Sequence, residues 1–434
     1  MYCINSITLT KISKILDNNI FIGKEDCIAI GVSGGVDSMT LLNIASVWAK
    51  KFSKKLVVLT FNHNLRKESI KEVQLVQSIS KALQVECKSF IWKEKPSRAI
   101  LEKARIARYK IFSKYCKSKN INSLLIAHTA DDIAETFAIR IIKKSNLDGL
   151  CPLAQQRKIF DISIVRPLLG FRKSDIYEYA NYHKIKYNED PSNKNNRFLR
   201  SRIRKYLEQE NNLSTNLIRA SSIFCMLRKT KDNFVREKFK SYYTFKWEGY
   251  LKIDKNIFRV FPKFLIIDFL KKCIVQMGNR EYPPKSKKLE TLFTNLKTEN
   301  KTNYSLAGCI ISSKKEEILV IREFKKIQSL STKIHNKTRL VWDNRFIIYN
   351  LTKKNSYTIF PLGKILEKKS TKTMIKNKVK YKNWLPFNVK KTLPVIKTLE
   401  GLVLIPHFNI YGEYKEKIRI DINDFTDKND NYYI

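Results

Sequence analysis

The chain has 434 residues, with 84 Lys+Arg against 40 Asp+Glu for a formal charge of +44, and 43% hydrophobic residues that include 24 Phe and 20 Tyr. That much apolar and aromatic material excludes a disordered basic tail protein, and the length fits two or three domains. The longest apolar runs, such as 264–270, are short and broken by Asp268, which excludes a membrane-spanning helix.

The opening MYCINSITLTKISK has neither an unbroken apolar stretch nor a small-residue cleavage site, so no secretory signal is expected and the cytoplasm is the expected location. Eight cysteines are scattered without any C-x-x-C, which argues against structural zinc and for isolated reduced thiols. Part of the basic excess is compositional bias along the whole chain. Self-repulsion on this scale nevertheless calls for a polyanion, and Lys and Arg interleaved with aromatics over 228–247 suit phosphates and base faces. A membrane surface fits less well, because no basic helix carries an isolated apolar face.

In chain order, apolar runs at 27–32, 55–61 and 123–127 predict strands, separated by segments of helical periodicity. After Ser38, Leu41, Leu42, Ala45 and Trp48 share one helix face. After Asp131, Ile133, Phe137 and Ile141 do the same, together with Ala134, Ala138 and Ile142. This βαβα pattern predicts an α/β, Rossmann-like parallel sheet. The basic stretch from Asn211 to Trp247 reads as the helical opening of a second domain, and a third region carries short β-like runs at 346–350 and 402–407. The expected division is a catalytic domain over 1–210, a helical or α+β middle domain over 211–325 and a small α/β or β-rich domain over 326–434.

Directly after the first strand stands Ser33-Gly34-Gly35-Val36-Asp37-Ser38, running straight into a helix. Two glycines let backbone N–H groups approach a phosphate, the hydroxyls of Ser33 and Ser38 add donors, and a helix N-terminus favours anions. It is not a Walker loop, because the Lys of G-x-x-x-x-G-K-[ST] is missing. An Asp beside phosphate oxygens makes sense with a divalent cation between them. The segment resembles the S-G-G-x-D-S hallmark of the N-type ATP pyrophosphatases at every fixed position. That resemblance implies ATP as substrate with its phosphates on Ser33, Gly34, Gly35, Val36, Asp37 and Ser38, Mg²⁺ held partly by Asp37, and transfer of AMP to an oxygen.

Further blocks resemble one member of that group, the tRNA(Ile)-lysidine synthetases in their long, three-domain form. They are Asn62-His63-Asn64-Leu65-Arg66, Ala104-Arg105-Ile106-Ala107-Arg108-Tyr109, His128-Thr129-Ala130-Asp131-Asp132-Ile133-Ala134-Glu135-Thr136, Arg166-Pro167-Leu168-Leu169, and Glu189-Asp190-Pro191-Ser192-Asn193 followed by Arg197 and Arg200. On a helix Asp132 and Glu135 share a face, and three carboxylates within about one turn of so basic a chain point to a cation. The resemblance implies that this cation is the ammonium of free L-lysine, bound by Asp132, Glu135 and His128. Asp37, Asp132 and Glu135 are then the catalytic residues, while Arg105, Arg108, Arg197 and Arg200 contact tRNA or ATP phosphates.

It further implies that the C2 oxygen of the wobble cytidine of a CAU-anticodon tRNA(Ile) takes AMP from ATP, and that lysine then displaces AMP to give lysidine, converting recognition from AUG to AUA. A homodimer is expected from the resemblance alone. Leu306-Ala307-Gly308-Cys309 leading to Ile321-Arg322-Glu323 resembles a strand pair of the family's middle domain, and Trp384-Leu385-Pro386 with Leu393-Pro394 resembles its last domain. Two departures stand out: Lys143-Lys144-Ser145-Asn146 replaces R-G-S-G, and Arg197-Phe198-Leu199-Arg200 replaces R-N-x-x-R.

Rival readings fare worse. A tRNA thiolase working through a persulfide needs neighbouring cysteines, and an amidotransferase-type synthetase needs a glutaminase domain where only 32 residues precede the loop. A non-catalytic basic RNA-binding protein leaves the SGGVDS loop and the acidic helix unexplained.

Overall fold

The structure is a computed structural model describing residues 14–16, 26–64, 68–93, 100–151, 153–160, 162–188, 199–280, 283–298, 302–353, 355–367, 385–411, 414 and 417–423. Its contacts divide the chain into two compact units that meet in sequence between Lys229 and Thr230. Among the described residues no helix is long and apolar enough to cross a membrane.

The first unit is built on a six-stranded sheet of order β3-β2-β1-β4-β6-β5. Its strands are β1 (Cys27–Gly31), β2 (Lys55–Asn62), β3 (Glu86–Ile91), β4 (Ser123–Ile126), β5 (Gln156–Ile159) and β6 (Ile162–Val165). All neighbours are parallel except β5, which pairs antiparallel with β6 at the edge. The helices are α1 (Val36–Lys51), α2 (Glu68–Ala82), α3 (Ile100–Ser118), α4 (Ala130–Ile142), α5 (Lys173–Tyr182), α6 (Leu199–Gln209) and α7 (Asn211–Phe239), the last running past the boundary.

Strands covered on both faces favour near-continuous apolar runs, and β1 and β4 meet that demand with CIAIG and SLLI, Ser123 being the one polar residue. Their alternation divides the core. Ile28 and Ile30 point to one side with Leu41, Leu42, Trp48 and Tyr179, whereas Ala29 points to the other with Tyr109, Phe112 and Ile164. The sheet order places β1 beside β4, so the loop after β1 and the loop after β4 open at the same carboxyl edge where the strand order changes direction. Open α/β sheets bind ligands in that crevice.

The second unit opens with an antiparallel five-stranded sheet, β7-β8-β11-β10-β9, comprising β7 (Tyr243–Lys246), β8 (Tyr250–Asp254), β9 (Thr302–Leu306), β10 (Cys309–Ser313) and β11 (Glu317–Arg322). The short α8 (Ile257–Val260) precedes α9 (Lys263–Met277) and α10 (Ser286–Thr298), whose Ile266, Ile274 and Leu292 share a core with Ile253 and Ile311 of the sheet. The strand pair expected around Cys309 and Arg322 is present, with those two residues directly opposite each other. Two small antiparallel sheets follow. One joins β12 (Thr332–Ile334), β15 (Tyr357–Pro361), β16 (Pro394–Lys397) and β17 (Val403–Leu404), and the other joins β13 (Thr338–Trp342), β14 (Phe346–Asn350) and β18 (Ile418–Ile422).

A buried triad ties this unit together. Asp343 accepts from Arg322 Nε at 3.1 Å and from Arg345 Nε at 2.8 Å, with all three side chains no more than 7% exposed. Arg322 also donates to the carbonyls of Gly278 and Gly308, and Arg345 to those of Gly249 and Thr392. One carboxylate thus serves two guanidiniums shut away from water, and the triad keeps one net positive charge. Asp343→Asn keeps the shape but strips both of their anion, so it is expected to lower unfolding free energy by roughly 3–5 kcal/mol. Chemical denaturation of the purified protein measures this, and a loss under ~1 kcal/mol contradicts it.

Candidate functional site

Gly34 takes φ +89°, a backbone conformation that residues with a side chain rarely adopt, so the loop needs glycine at that point. Gly35 caps α1 with extended backbone. The two loop hydroxyls are used partly inside the loop. Ser38 Oγ donates to the Gly35 carbonyl at 2.9 Å and accepts the Ser33 N–H at 3.2 Å, and it lies 3.2 Å from Ser33 Oγ. Ser38 therefore braces the loop, and the half-turn is further pinned by the Asn188 N–H donating to the Gly34 carbonyl.

Asp37 sits in the first turn of α1, and its Oδ1 is buried without a hydrogen-bond partner. Burial, aided by the nearby Asp132 and Glu135 charges and opposed by Lys173 and Arg204, raises its carboxyl to about 6. An orphaned carboxylate oxygen at a phosphate-type loop is the donor a hard divalent cation takes. Among the described residues no group of three or more His, Cys, Asp or Glu could hold a metal.

On the neighbouring strand, β4 leads through His128 and the cap residue Thr129 into α4. Asp132 completes a capping box, accepting the Thr129 N–H at 2.9 Å on Oδ2, while its Oδ1 accepts Arg200 Nη2 at 2.7 Å. Glu135 is 1% exposed and is the hub. It accepts Arg200 Nε at 2.7 Å, Arg204 Nε at 2.6 Å and Lys173 Nζ at 3.2 Å. Burial alone would raise its pKa; the Arg204 hydrogen bond and the charges of Lys173, Arg200 and Arg204 overcome that and hold it below the ordinary value. Asp131 turns elsewhere, accepting the Lys173 N–H at 2.7 Å and pairing with Arg172 at 3.0 Å.

The three carboxylates expected on α4 are met by cations of the chain itself: Asp131, Asp132 and Glu135 stand against Arg172, Lys173, Arg200 and Arg204, while Asp37 of α1 lies close by with its Oδ1 unpartnered. Of these bases only Arg200 was expected. Arg204 lies one helical turn beyond it on α6, a spacing the sequence displays. Arg172 and Lys173 stand at the N-terminus of α5, where cations oppose the helix dipole; that mismatch is the sequence signal of an anion nearby.

A second group is built differently. Arg105 and Arg108 flank the Tyr109 ring at 5.3 and 5.2 Å, and the buried Arg166 donates to His128 Nδ1 at 3.0 Å and to the Ala154 carbonyl. Among the described residues no carboxylate pairs with any of these three arginines. Burial, then the charges of Arg166, Arg105 and Arg108, hold His128 well below its usual range, so the ring is neutral and Nε2 carries the proton. Burial raises the Tyr109 hydroxyl, but the same arginines outweigh it and bring it below its ordinary value. His128 was expected as a lysine ligand; its geometry is that of a neutral acceptor for Arg166, and it is not among the residues lining the cleft.

The cleft has a volume of ≈ 1520 Å³ and is lined by Ser33, Gly35, Val36, Asp37, Glu135, Arg105, Arg108 and Arg200 among the expected residues, together with Lys173, Arg204 and His63. Arg197, the Leu65-Arg66 pair and the block 189–193 lie outside the described residues. At the departure from R-G-S-G, Lys144 adopts φ +52°, the left-handed conformation that glycine takes without strain.

The Asp37 carboxyl yields a sign-definite stability test. Its folded value of about 6 lies above the ordinary 3.8, so the folded protein holds this proton more tightly. Stability from this group is full below pH 4 and declines as pH rises through about 6, by ~3 kcal/mol in the limit. Asp37→Asn removes the penalty, and the lost helix-dipole contact is smaller at about 0.3–1 kcal/mol. Thermal melts are expected to show the variant more stable than the parent at pH 8 and the two converging below pH 4. A variant that melts lower at pH 8 contradicts it.

Residues 4–211 match the family of the PP-loop domain. Over 413 residues the chain is 32% identical to the tRNA(Ile)-lysidine synthase of Wolbachia pipientis wMel, covering 93% of this chain and 94% of that one. It is 30% identical to the tRNA(Ile)-lysidine synthase of Orientia tsutsugamushi (strain Boryong), covering 89% and 90%. Among solved structures, the U34-tRNA thiolase NcsA from Methanococcus maripaludis is similar at 17% identity with a TM-score of 0.44, over 51% of this chain and 78% of that one. With its phosphate-type loop and acidic helix on adjoining strands, and with relatives matched over nearly their whole length, the chain belongs to the tRNA(Ile)-lysidine synthase family.

Proposed function

We propose that the cleft ligates free L-lysine to C2 of the wobble cytidine of a CAU-anticodon tRNA(Ile), using ATP and releasing AMP and pyrophosphate. The observation that carries this reading is the division of charge within one cleft. A balanced set of acids and bases surrounds Glu135, and an unbalanced set of arginines lies beside Tyr109. Uncompensated, partly buried guanidiniums suit phosphate, and a buried carboxylate suits an ammonium.

In this reading the triphosphate lies on the loop from Ser33 to Ser38, with Arg105 and Arg108 against phosphate oxygens. Asp37 would hold Mg²⁺, which when bound neutralises phosphate charge. A volume of ≈ 1520 Å³ exceeds the ~300–1,000 Å³ of ordinary ligand pockets and leaves room for a nucleotide beside a second base. The wobble base sits in an anticodon loop, so it can be splayed into the cleft without opening a helix. A cytosine C2 oxygen leaves poorly until it carries AMP, which is why activation precedes attack by the amine.

The amine must lose a proton, its reference pKa being near 10.4. Glu135 and Asp132 first bind the ammonium and then accept that proton. The 3.2 Å pairing of the Lys173 ammonium with Glu135 Oε1 supports a role for this carboxylate as an ammonium partner. His128 serves by holding Arg166.

Incubation of the protein with CAU-anticodon tRNA(Ile) transcript, ATP, Mg²⁺ and labelled lysine is expected to put label into the tRNA. A folded preparation that binds tRNA and incorporates none sinks the proposal. Glu135→Gln removes one charged partner, a loss of about 1.5–3 kcal/mol. It is expected to raise the KM for lysine roughly ten- to hundredfold, with tRNA affinity held within about twofold; an unchanged KM takes Glu135 out of the lysine site.

A further inference from the structure

Two cysteines far apart in sequence meet outside the cleft. Cys151 follows the turn after α4, and Cys225 lies midway along α7. Two contacts tie α7 to α4 and its following turn, and a third pins that turn to α4. Arg228 Nε, one turn beyond Cys225, is 3.9 Å from Asp148 Oδ1. The Phe224 ring meets Phe137 of α4 at 5.7 Å, and Arg140 Nη1 donates to the Gly149 carbonyl at 2.7 Å. Within this frame the Cys151 and Cys225 thiols come close enough to interact directly. Both thiols are unbridged and half-buried, and neither lines the cleft.

The surroundings of the two thiols are unequal. The contact with Cys151, with the Arg228 and Lys229 charges acting against burial, brings Cys225 down to about 7. The same contact, reinforced by burial, pushes Cys151 up. One sulfur is thereby the better nucleophile at neutral pH, and the other stands ready as its partner. Cys273 and Cys309 serve as the contrast: both are buried and raised, as structural cysteines are.

We propose that Cys151 and Cys225 form a redox-active thiol pair, a modification site at which a low-molecular-weight disulfide is reduced and an intramolecular Cys151–Cys225 bond is formed. The Cys225 thiolate attacks one sulfur of the disulfide RSSR, giving a Cys225–SR mixed disulfide and expelling RS⁻. The Cys151 thiol gives up its proton to that thiolate, attacks the Cys225 sulfur and expels the second RS⁻, which takes a proton from water. The protein loses two electrons and two protons, and RSSR becomes two RSH. The new bond links the turn after α4 covalently to α7.

The test is carried out on the full chain at pH 7 with glutathione disulfide, followed by acid quenching and peptide mapping without reductant. A single Cys151–Cys225 cross-linked peptide is expected. Cys151→Ser is expected to leave glutathione on Cys225, whereas Cys225→Ser leaves Cys151 a thiol. With Cys225 near 7 about half is thiolate at pH 7, roughly fiftyfold more than for an ordinary thiol, and weaker nucleophilicity takes back about eightfold. Cys225 is therefore expected to react with iodoacetamide roughly sixfold faster than Cys87, another half-buried thiol. The proposal is overturned if mixed disulfides form elsewhere but no Cys151–Cys225 peptide appears. It is equally overturned if Cys151 in the Cys225→Ser variant is modified as fast as Cys225 in the Cys151→Ser variant. Neither readout depends on what the cleft catalyses.

Discussion

A carboxylate almost fully removed from water holds the first unit's chemistry in place. Glu135 is tolerable at 2% side-chain exposure only because Arg200, Arg204 and Lys173 surround it, and each of those cations comes from a different turn or helix. Breaking one partner of a buried pair leaves an uncompensated charge and costs several kcal/mol. The positions of α5 and α6 relative to α4 are therefore set by charge as much as by apolar packing. This binds the acidic helix to the same frame as the loop after β1, because α5 also packs on α1 through the Tyr179 hydroxyl and Asn43.

The two units solve the buried-charge problem in opposite ways. In the first, one glutamate collects three bases, and the balance is kept across four acids and four bases. In the second, one aspartate serves two arginines, and backbone carbonyls absorb the remaining N–H groups. The second arrangement is buried on all three side chains and tied to the backbone at four carbonyls, so it is a fastening. The first faces a cleft and leaves Asp37 Oδ1 unsatisfied, as a place where chemistry happens tends to do.

What could be read from the chain alone follows from how local each signal is. Strands β1, β2 and β4 were legible because burial on both faces makes them nearly continuous apolar runs. β3, with the sequence ECKSFI, is mostly exposed, and β5 is a polar edge strand, so neither announces itself. The phosphate-type loop was legible because its residues are contiguous. The partners of Glu135 were not, since Lys173 and Arg204 reach it across long stretches of sequence and a lysine or arginine is unremarkable in a chain of charge +44. The capping role of Asp132 was half legible: Thr129 precedes it at the right spacing, but the spacing alone does not show that one carboxylate caps the helix and meets Arg200 together.

Lys173 carries a last consequence. Its amine already rests on Glu135, so any ligand amine arriving at the same oxygen enters an exchange and does not fill a gap. The free energy of that exchange is the difference between two like contacts, plus whatever Lys173 gains elsewhere once displaced. A small cation with no further contacts has little to set against a tethered side chain that pays almost no translational entropy. Discrimination at such a position falls on the rest of the ligand, so the hub can be strongly charged without being indiscriminate toward amines.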